Sequence, residues 1–437
     1  MSVEDLERRV RLLATDELGV VRVAEAAGRS QMDALAMSAR FGEACRPRRV
    51  VRCRAGEDGD GVGGAMGAPG TVAASGWLAL GRADNTVEVI ESASGAIMGG
   101  GGVDVGALPV GVHVYGPGAG RDGARLITVT EAGDAIVHAA PCDAPDPVTG
   151  RLRVVETWEE SARWKAGQHA LVARAADAGA LLALGGKGQG NDLKIYDVET
   201  QKMAYKAKPP PENWLGYRAP PWVSAIAYLP DESNEKLLVG TGEHRLRLYD
   251  VRADKRAVMD LDVGETTITA LACSHDGAYA YVGNARGQLN SVDLRTQRLF
   301  AKYKGNGGSI RSISPHPTEP LIAVAGLDRY LRVYSLETRT CLAAAFMKQA
   351  LSGCAWDVRE PELAHAAAAA EAAAAKAGKK KKKKKARDEA EEEDLAGEEE
   401  RLVKKKKKAK RDEEAAGTEK KKKKKKKKVR RAEEDDE

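Results

Sequence analysis

Leu246-Arg-Leu-Tyr-Asp-Val-Arg-Ala253 is one of four near-copies of the same eight-residue stretch. The others are Leu193-Lys-Ile-Tyr-Asp-Val-Glu-Thr200, Leu289-Asn-Ser-Val-Asp-Leu-Arg-Thr296 and Leu331-Arg-Val-Tyr-Ser-Leu-Glu-Thr338. Their starts lie 53, 43 and 42 residues apart. Each alternates apolar and polar with period two, as a half-buried strand does. Upstream of each comes an apolar run and a tight Gly-containing turn: Leu182–Gly185, Leu237–Gly240, Tyr279–Gly283 and Leu321–Gly326. Further upstream lie Val223–Tyr228, Ile268–Ala272 and Ile310–Ile313, each closed by a polar turn, and a short fourth strand such as Arg298–Lys302 follows the copies.

Four antiparallel strands per roughly 42 residues is the period of a WD-repeat propeller blade. The N-terminal half repeats the pattern more weakly, in the pairs Leu12–Thr15 and Val20–Val23, Trp77–Gly81 and Thr86–Ile90, and Leu126–Thr130 and Ala135–His138. Seven centre-strand pairs predict an all-β, seven-bladed WD-repeat β-propeller over residues 1–364. Its spacing is stretched by a Gly-rich insertion at about 54–72 and a loop at about 202–221. Leu351–Asp357 is expected to close the ring against the N-terminal blade, which removes the exposed sheet edges that invite aggregation. The repeats are degenerate: the Trp-Asp position reads Tyr196-Asp197, Tyr249-Asp250, Val292-Asp293 and Tyr334-Ser335.

Charge separates the chain into two polymers. The whole sequence has 70 Lys+Arg against 64 Asp+Glu, a net +6. Residues 365–437 hold 28 basic and 19 acidic residues, so the excess belongs to this tail and residues 1–364 carry a net −3. Net charge therefore gives no support to a basic nucleic-acid-binding body. The start of the chain, with Glu4 and Asp5, lacks the apolar core of a secretory signal. Gly61–Gly81 is too Gly-rich for a bilayer span. Six cysteines without a CxxC pair read as free thiols in a reducing compartment, so a soluble intracellular protein is expected.

The tail opens with a short Ala-rich stretch of helical composition from His365 and continues as lysine blocks separated by acidic ones. Nothing in it offers enough apolar area to offset ordering entropy, so disorder is expected. Lys379, Lys380, Lys381 and Lys382 lie in the first block, Lys404, Lys405 and Lys406 in the second, and Lys420, Lys421, Lys422 and Lys428 in the third, followed by Arg430 and Arg431. Such runs suit a nuclear import receptor and bind RNA phosphates by counterion release without reading sequence.

No constellation nominates a catalyst. Gly185-Gly-Lys-Gly-Gln-Gly190 lacks the GK[ST] opening of a helix that a P-loop needs, and it joins two strands. Ser274-His275-Asp276 is a turn, because adjacent side chains point apart and triads assemble from distant positions. Asp84, Asp134 and Asp328 suit turn bracing through their backbone-facing oxygens. No metal-ligand spacing occurs among the histidines. A non-enzyme without a cofactor is expected.

Glu212-Asn-Trp-Leu-Gly-Tyr-Arg-Ala-Pro-Pro-Trp-Val-Ser-Ala-Ile-Ala-Tyr-Leu-Pro230 is unusual for a generic blade. With Thr241–Asp250, Val282–Leu289, Asp293-Leu-Arg295 and Gly326–Arg332 it resembles one family, that of WD-repeat-containing protein 74 and its fungal Nop-seven-associated counterpart, over about residues 181–333. Trp214, Arg218, Trp222, His244, Gly287 and Arg329 fall at positions that recur in that family. The resemblance implies a nucleolar assembly factor of the large (60S) ribosomal subunit, working as a monomer within a larger complex. Implied partners are pre-60S assembly factors, pre-rRNA through the tail, and an AAA-type ATPase that releases the factor.

The residues themselves fit a docking role. Trp214, Arg218 and Trp222 are of the types enriched in binding hot spots, although Trp222, just before a strand, reads equally as inter-blade packing. His244, Arg245, Arg286 and Arg329 sit at or beside turns joining the second and third strands of successive blades, which places them on one face as a basic rim. The rival readings are a substrate receptor of a cullin-type ubiquitin ligase and a chromatin-binding propeller. The former finds partial echoes of a Trp-Asp-x-Arg signature at Asp250-Val-Arg252 and Asp293-Leu-Arg295, and the latter calls for an acidic central channel.

Overall fold

A computed structural model of the chain describes residues 10–357, apart from 27–34, 42–49, 56–70, 73–76, 93, 116–122, 143–156, 177–179, 213–214, 217–219, 231–234 and 318. The chain divides into two units, Met1–Ala364 and His365–Glu437, and every described residue belongs to the first. The tail, its Ala-rich start and its lysine blocks lie outside the described residues.

Seven antiparallel sheets make up the first unit. In five of them four consecutive strands run from the centre outward, and a sixth does so with Thr71–Val72 skipped. The innermost strands, Val50–Ala55, Pro109–Tyr115, Ala170–Ala175, Val223–Tyr228, Ile268–Cys273, Ile310–Pro315 and Leu351–Asp357, each touch the next in a closed ring. The fold is a seven-bladed β-propeller. All seven centre-strand pairs read from the sequence are present.

The first blade is assembled from both ends of the described chain. Leu351–Asp357 is its inner strand and pairs antiparallel with Val10–Asp16, in the register Leu12↔Trp356 and Leu13↔Ala355. Val21–Ala26 and Ala36–Phe41 complete that blade. On the other side of the closing strand, Thr71–Val72 pairs in parallel with Trp356–Asp357. Trp356 is 1% exposed, and its indole N–H donates to the Ser314 carbonyl of the seventh blade at 2.7 Å. The closing strand is thereby tied to both of its flanks.

Second strands are deeply buried. Trp77–Arg82 and Leu321–Gly326 are buried at every position, because a sheet flanks them on both edges and a neighbouring blade covers each face. A continuous apolar run is what that environment selects. The glycine ending four of these runs marks the closest approach between blades. A Cβ on Gly81, Gly185, Gly240 or Gly283 would lie within 3.0 Å of Val112, Val223, Ile268 or Ile310 on the next blade's inner strand. The repeated glycine is thus a packing requirement.

One boundary differs from expectation. The stretch 202–221 is not all loop, since Met203–Lys206 is the outer strand of the fourth blade. Tyr205 anchors it, buried, with its hydroxyl donating to the Asp254 carbonyl at 2.9 Å. A four-residue strand with one buried side chain gives little periodic signal. No helix of the described residues is long and apolar enough to cross a membrane.

Candidate partner-binding face

The turn between second and third strands has one geometry in six blades. Three residues after the second strand ends, the backbone takes a positive φ at Gly19, Asn85, Gly133, His244, Gly287 and Arg329. At Gly19, Gly133 and Gly287 that residue's N–H bonds to the carbonyl three back, a type I turn followed by a left-handed residue. Glycine suits this conformation best, Asn and His are tolerated there, and an Arg is strained. His244, at φ 56°, and Arg329, at φ 68°, occupy this turn position where three other blades have glycine.

These turns share one face with the connections between blades, and His244, Arg245, Arg286 and Arg329 lie at or beside them. His244 Nδ1 lies 2.9 Å from Asp262 Oδ1. Partial burial tends to raise the Asp262 pKa, but the His244 hydrogen bond, the Gly264 amide and the nearby Arg245 charge outweigh it and hold the carboxyl below its usual value. Arg245 opens the following third strand and bonds Asp260 through Nε at 2.6 Å, where Arg247 also donates at 3.3 Å. Arg286 reaches Glu265 at 3.5 Å with both side chains largely exposed. The face is therefore mixed in character, with a carboxylate beside His244, Arg245 and Arg286, instead of a uniformly basic rim. Arg329 is the exception: its guanidinium lies 5.8 Å from the Phe346 ring centroid.

Trp222 sits where two blades meet. Its carbonyl accepts from the Gly242 N–H at 2.9 Å, and its ring lies flat on Gly242, so close that a Cβ there would come within 2.4 Å of three ring atoms. Lys187 Nζ stands 4.1 Å above the ring centroid, and Lys187 pairs with Trp222 in an isolated bridge. Trp222 is therefore inter-blade packing with one partly exposed flank. Trp214 and Arg218 lie outside the described residues. Lys187 escaped the sequence reading because its glycine-rich turn looked like a mere connector.

A second group missed in sequence lies on the seventh blade's outer corner. Tyr330 and Phe346 are ring neighbours, 5.1 Å between centroids. Arg332 lies 4.8 Å over Tyr330 and bonds Asp328, while Arg329 covers Phe346. Phe346 is half exposed. The alternating Tyr-x-Arg pattern of Tyr330-Leu-Arg332 carried a trace of this stack, but Phe346 could be placed only through strand pairing with Tyr330.

Chemistry-bearing clusters are sparse. Among the described residues no group of three or more His, Cys, Asp or Glu is placed to hold a metal ion. A pocket lined by Gln168, Leu184, Asn191, Asp192 and Lys194 has room for about 10 Å³, the scale of a single water. Burial raises the Asp192 carboxyl above its usual pKa despite Lys206, Arg247 and Lys194 nearby. Ser274, His275 and Asp276 form the turn expected of them, with the Asp276 carboxylate accepting the Ala278 amide at 3.1 Å. On the inner strands Asp357 is buried beside Arg11 at 3.5 Å.

The fold and the turns define a WD-repeat β-propeller, and the family model of the WD domain, G-beta repeat, matches residues 297–335. That span starts at the outer strand of the sixth blade and ends with the third strand of the seventh, one strand out of step with the blade. Among known proteins the chain is similar to WD repeat-containing protein 74 of Bos taurus and of Homo sapiens, at 38% identity over 158 and 159 residues. It is also similar to the ribosome biogenesis protein NSA1 of Meyerozyma guilliermondii, at 29% over 193 residues. The bovine and human matches take in 36% of this chain and span 40% of those proteins' length; the NSA1 match takes in 37% and spans 48%. The resemblance first read from Glu212–Arg332 points to these same proteins.

Proposed function

We propose that this chain is a non-catalytic assembly factor of the large ribosomal subunit, acting in the nucleolus as a rigid platform for pre-60S proteins. The observation that carries the reading is its similarity to a protein named for ribosome biogenesis, together with a propeller face on which His244, Arg286 and Arg329 sit at or beside the turns between second and third strands. A closed ring suits the role, because a surface that is already ordered loses little conformational entropy on binding. Arg329 on Phe346 supplies the cation–aromatic pair common at interface hot spots. In this proposal an import receptor reads the lysine blocks of 365–437, the same blocks contact pre-rRNA phosphates, and an AAA-type ATPase removes the factor from the particle.

The test is affinity purification of the tagged protein from its own cells, with sequencing of the RNA and identification of the proteins that come with it. Large-subunit rRNA precursors and pre-60S proteins, reduced at least several-fold by Arg329→Glu in a variant that still folds, are the expected result. Recovery of cullin-ligase subunits or histones without pre-rRNA would overturn the proposal.

A further inference from the structure

Seven outer strands end the seven sheets, and each presents a row of unpaired backbone groups to solvent unless something guards it. Natural sheets blunt such edges with charged residues, glycine-rich distortion or short length. Six of the seven here are guarded. Ala36–Phe41 carries Arg40, Ile97–Asp104 has four glycines and Asp104, and Glu159–Lys165 has four charged residues. Met203–Lys206 and Met259–Asp262 are four residues long and charged, and Arg298–Tyr303 carries Arg298 and Lys302. The seventh, Cys341-Leu-Ala-Ala-Ala-Phe346, has no charge, no glycine and full length. No described strand pairs with its outer side.

We propose that the outer edge of Cys341–Phe346 binds an extended segment of another protein as a fifth strand of the seventh blade. Its backbone supplies the ladder, as in other strand-addition complexes. Ala343 and Ala345 are buried toward the blade interface, while Cys341, Ala344 and Phe346 are exposed. The small residues leave room beside the strand, and Phe346 offers an apolar anchor. The ends of the edge set the partner's chemistry. Arg339, in the turn just before the strand, lies 4.5 Å over the exposed Phe300 ring of the neighbouring blade. Arg329 covers Phe346 at the other end, and exposed Lys348 follows two residues on. Arg332 is already bonded to Asp328, and the remaining charges, Arg329, Arg339 and Lys348 against Glu337, select a partner segment with β-branched residues at its centre and a carboxylate at each end.

The test uses two labelled synthetic hexapeptides with the full-length protein, Glu-Val-Thr-Val-Thr-Glu and its Lys-ended counterpart, read by fluorescence anisotropy at low salt. Binding of the acidic peptide at least tenfold tighter than the basic one, with slowed amide exchange in 341–346, is expected. The charge-reversed double variant Arg329→Glu/Arg339→Glu should invert that preference, and Ala344→Lys should weaken both peptides at unchanged melting temperature. Equal affinity for the two peptides, no binding by either, or exchange protection elsewhere would overturn the proposal. So would a concentration-dependent dimer abolished by Ala344→Lys, because the edge would then belong to a second copy of the chain. None of these readouts depends on pre-rRNA association, so this proposal and the assembly-factor reading fail separately.

Discussion

A positive φ at the same turn position in six blades makes His244 and Arg329 informative in a way that their exposure alone is not. A left-handed backbone costs a side-chain-bearing residue on the order of 1–2 kcal/mol, and four blades avoid that cost with glycine or asparagine. Arg329→Gly should therefore stabilise the propeller by about 0.5–1 kcal/mol, the relief of strain exceeding the added freedom of the unfolded chain. Denaturant titration would measure it. A loss of stability instead would mean that the stack on Phe346 outweighs the strain. His138 makes a prediction of a different kind. It is 3% exposed on the third strand of the third blade, and burial lowers its pKa below 6.5, opposed by Glu160 across the strand pair and reinforced by Arg163. The unfolded chain takes up a proton near pH 6.5 that the native chain refuses. Stability should thus fall as pH drops below about 6.5 and level off beneath the native value. His138→Gln should remove that component from urea midpoints measured between pH 8 and pH 5.

Among the elements, the closing strand matters most, since it is the inner strand of a blade whose other strands come from the opposite end of the described chain. Trp356 anchors it through a buried ring beside His316, 4.8 Å between centroids, and through its bond to Ser314. Trp356→Ala should cost ~3–5 kcal/mol by cavity formation alone. A matching substitution on an outer strand, Phe346→Ala, should cost far less because its ring is already half in water. Comparing the two thermal midpoints checks whether stability concentrates at the closure. Near-equal losses would show that the ring does not depend on this strand more than on any other.

For the whole molecule, the inner ring positions the turns, and each apolar cluster of the described residues is shared between neighbouring blades. Leu12, Ala24, Leu331, Val333 and Trp356 pack together across the first and seventh blades, and Ile226, Tyr228 and Leu237 of the fifth pack with Ile195 and Tyr205 of the fourth. A blade taken alone buries only part of its apolar surface, so folding requires the closed set.

The blade count, the strand pairs and the closing role of Leu351–Asp357 were legible in the chain because strand periodicity and Gly-marked turns are local signals. The turn positions of His244, Arg286 and Arg329 were legible for the same reason, each sitting at a fixed distance from an aligned strand. What covers those side chains was not. Asp260 and Asp262 come from an outer strand fifteen or more residues away, Lys187 meets Trp222 across a blade boundary, and Phe346 meets Arg329 through lateral pairing. The lack of a guard on one outer edge also has meaning only once the sheets show which strands are outermost. Periodicity acts along the chain, whereas charge pairing, stacking and edge exposure depend on distances between segments that only the closed ring brings together.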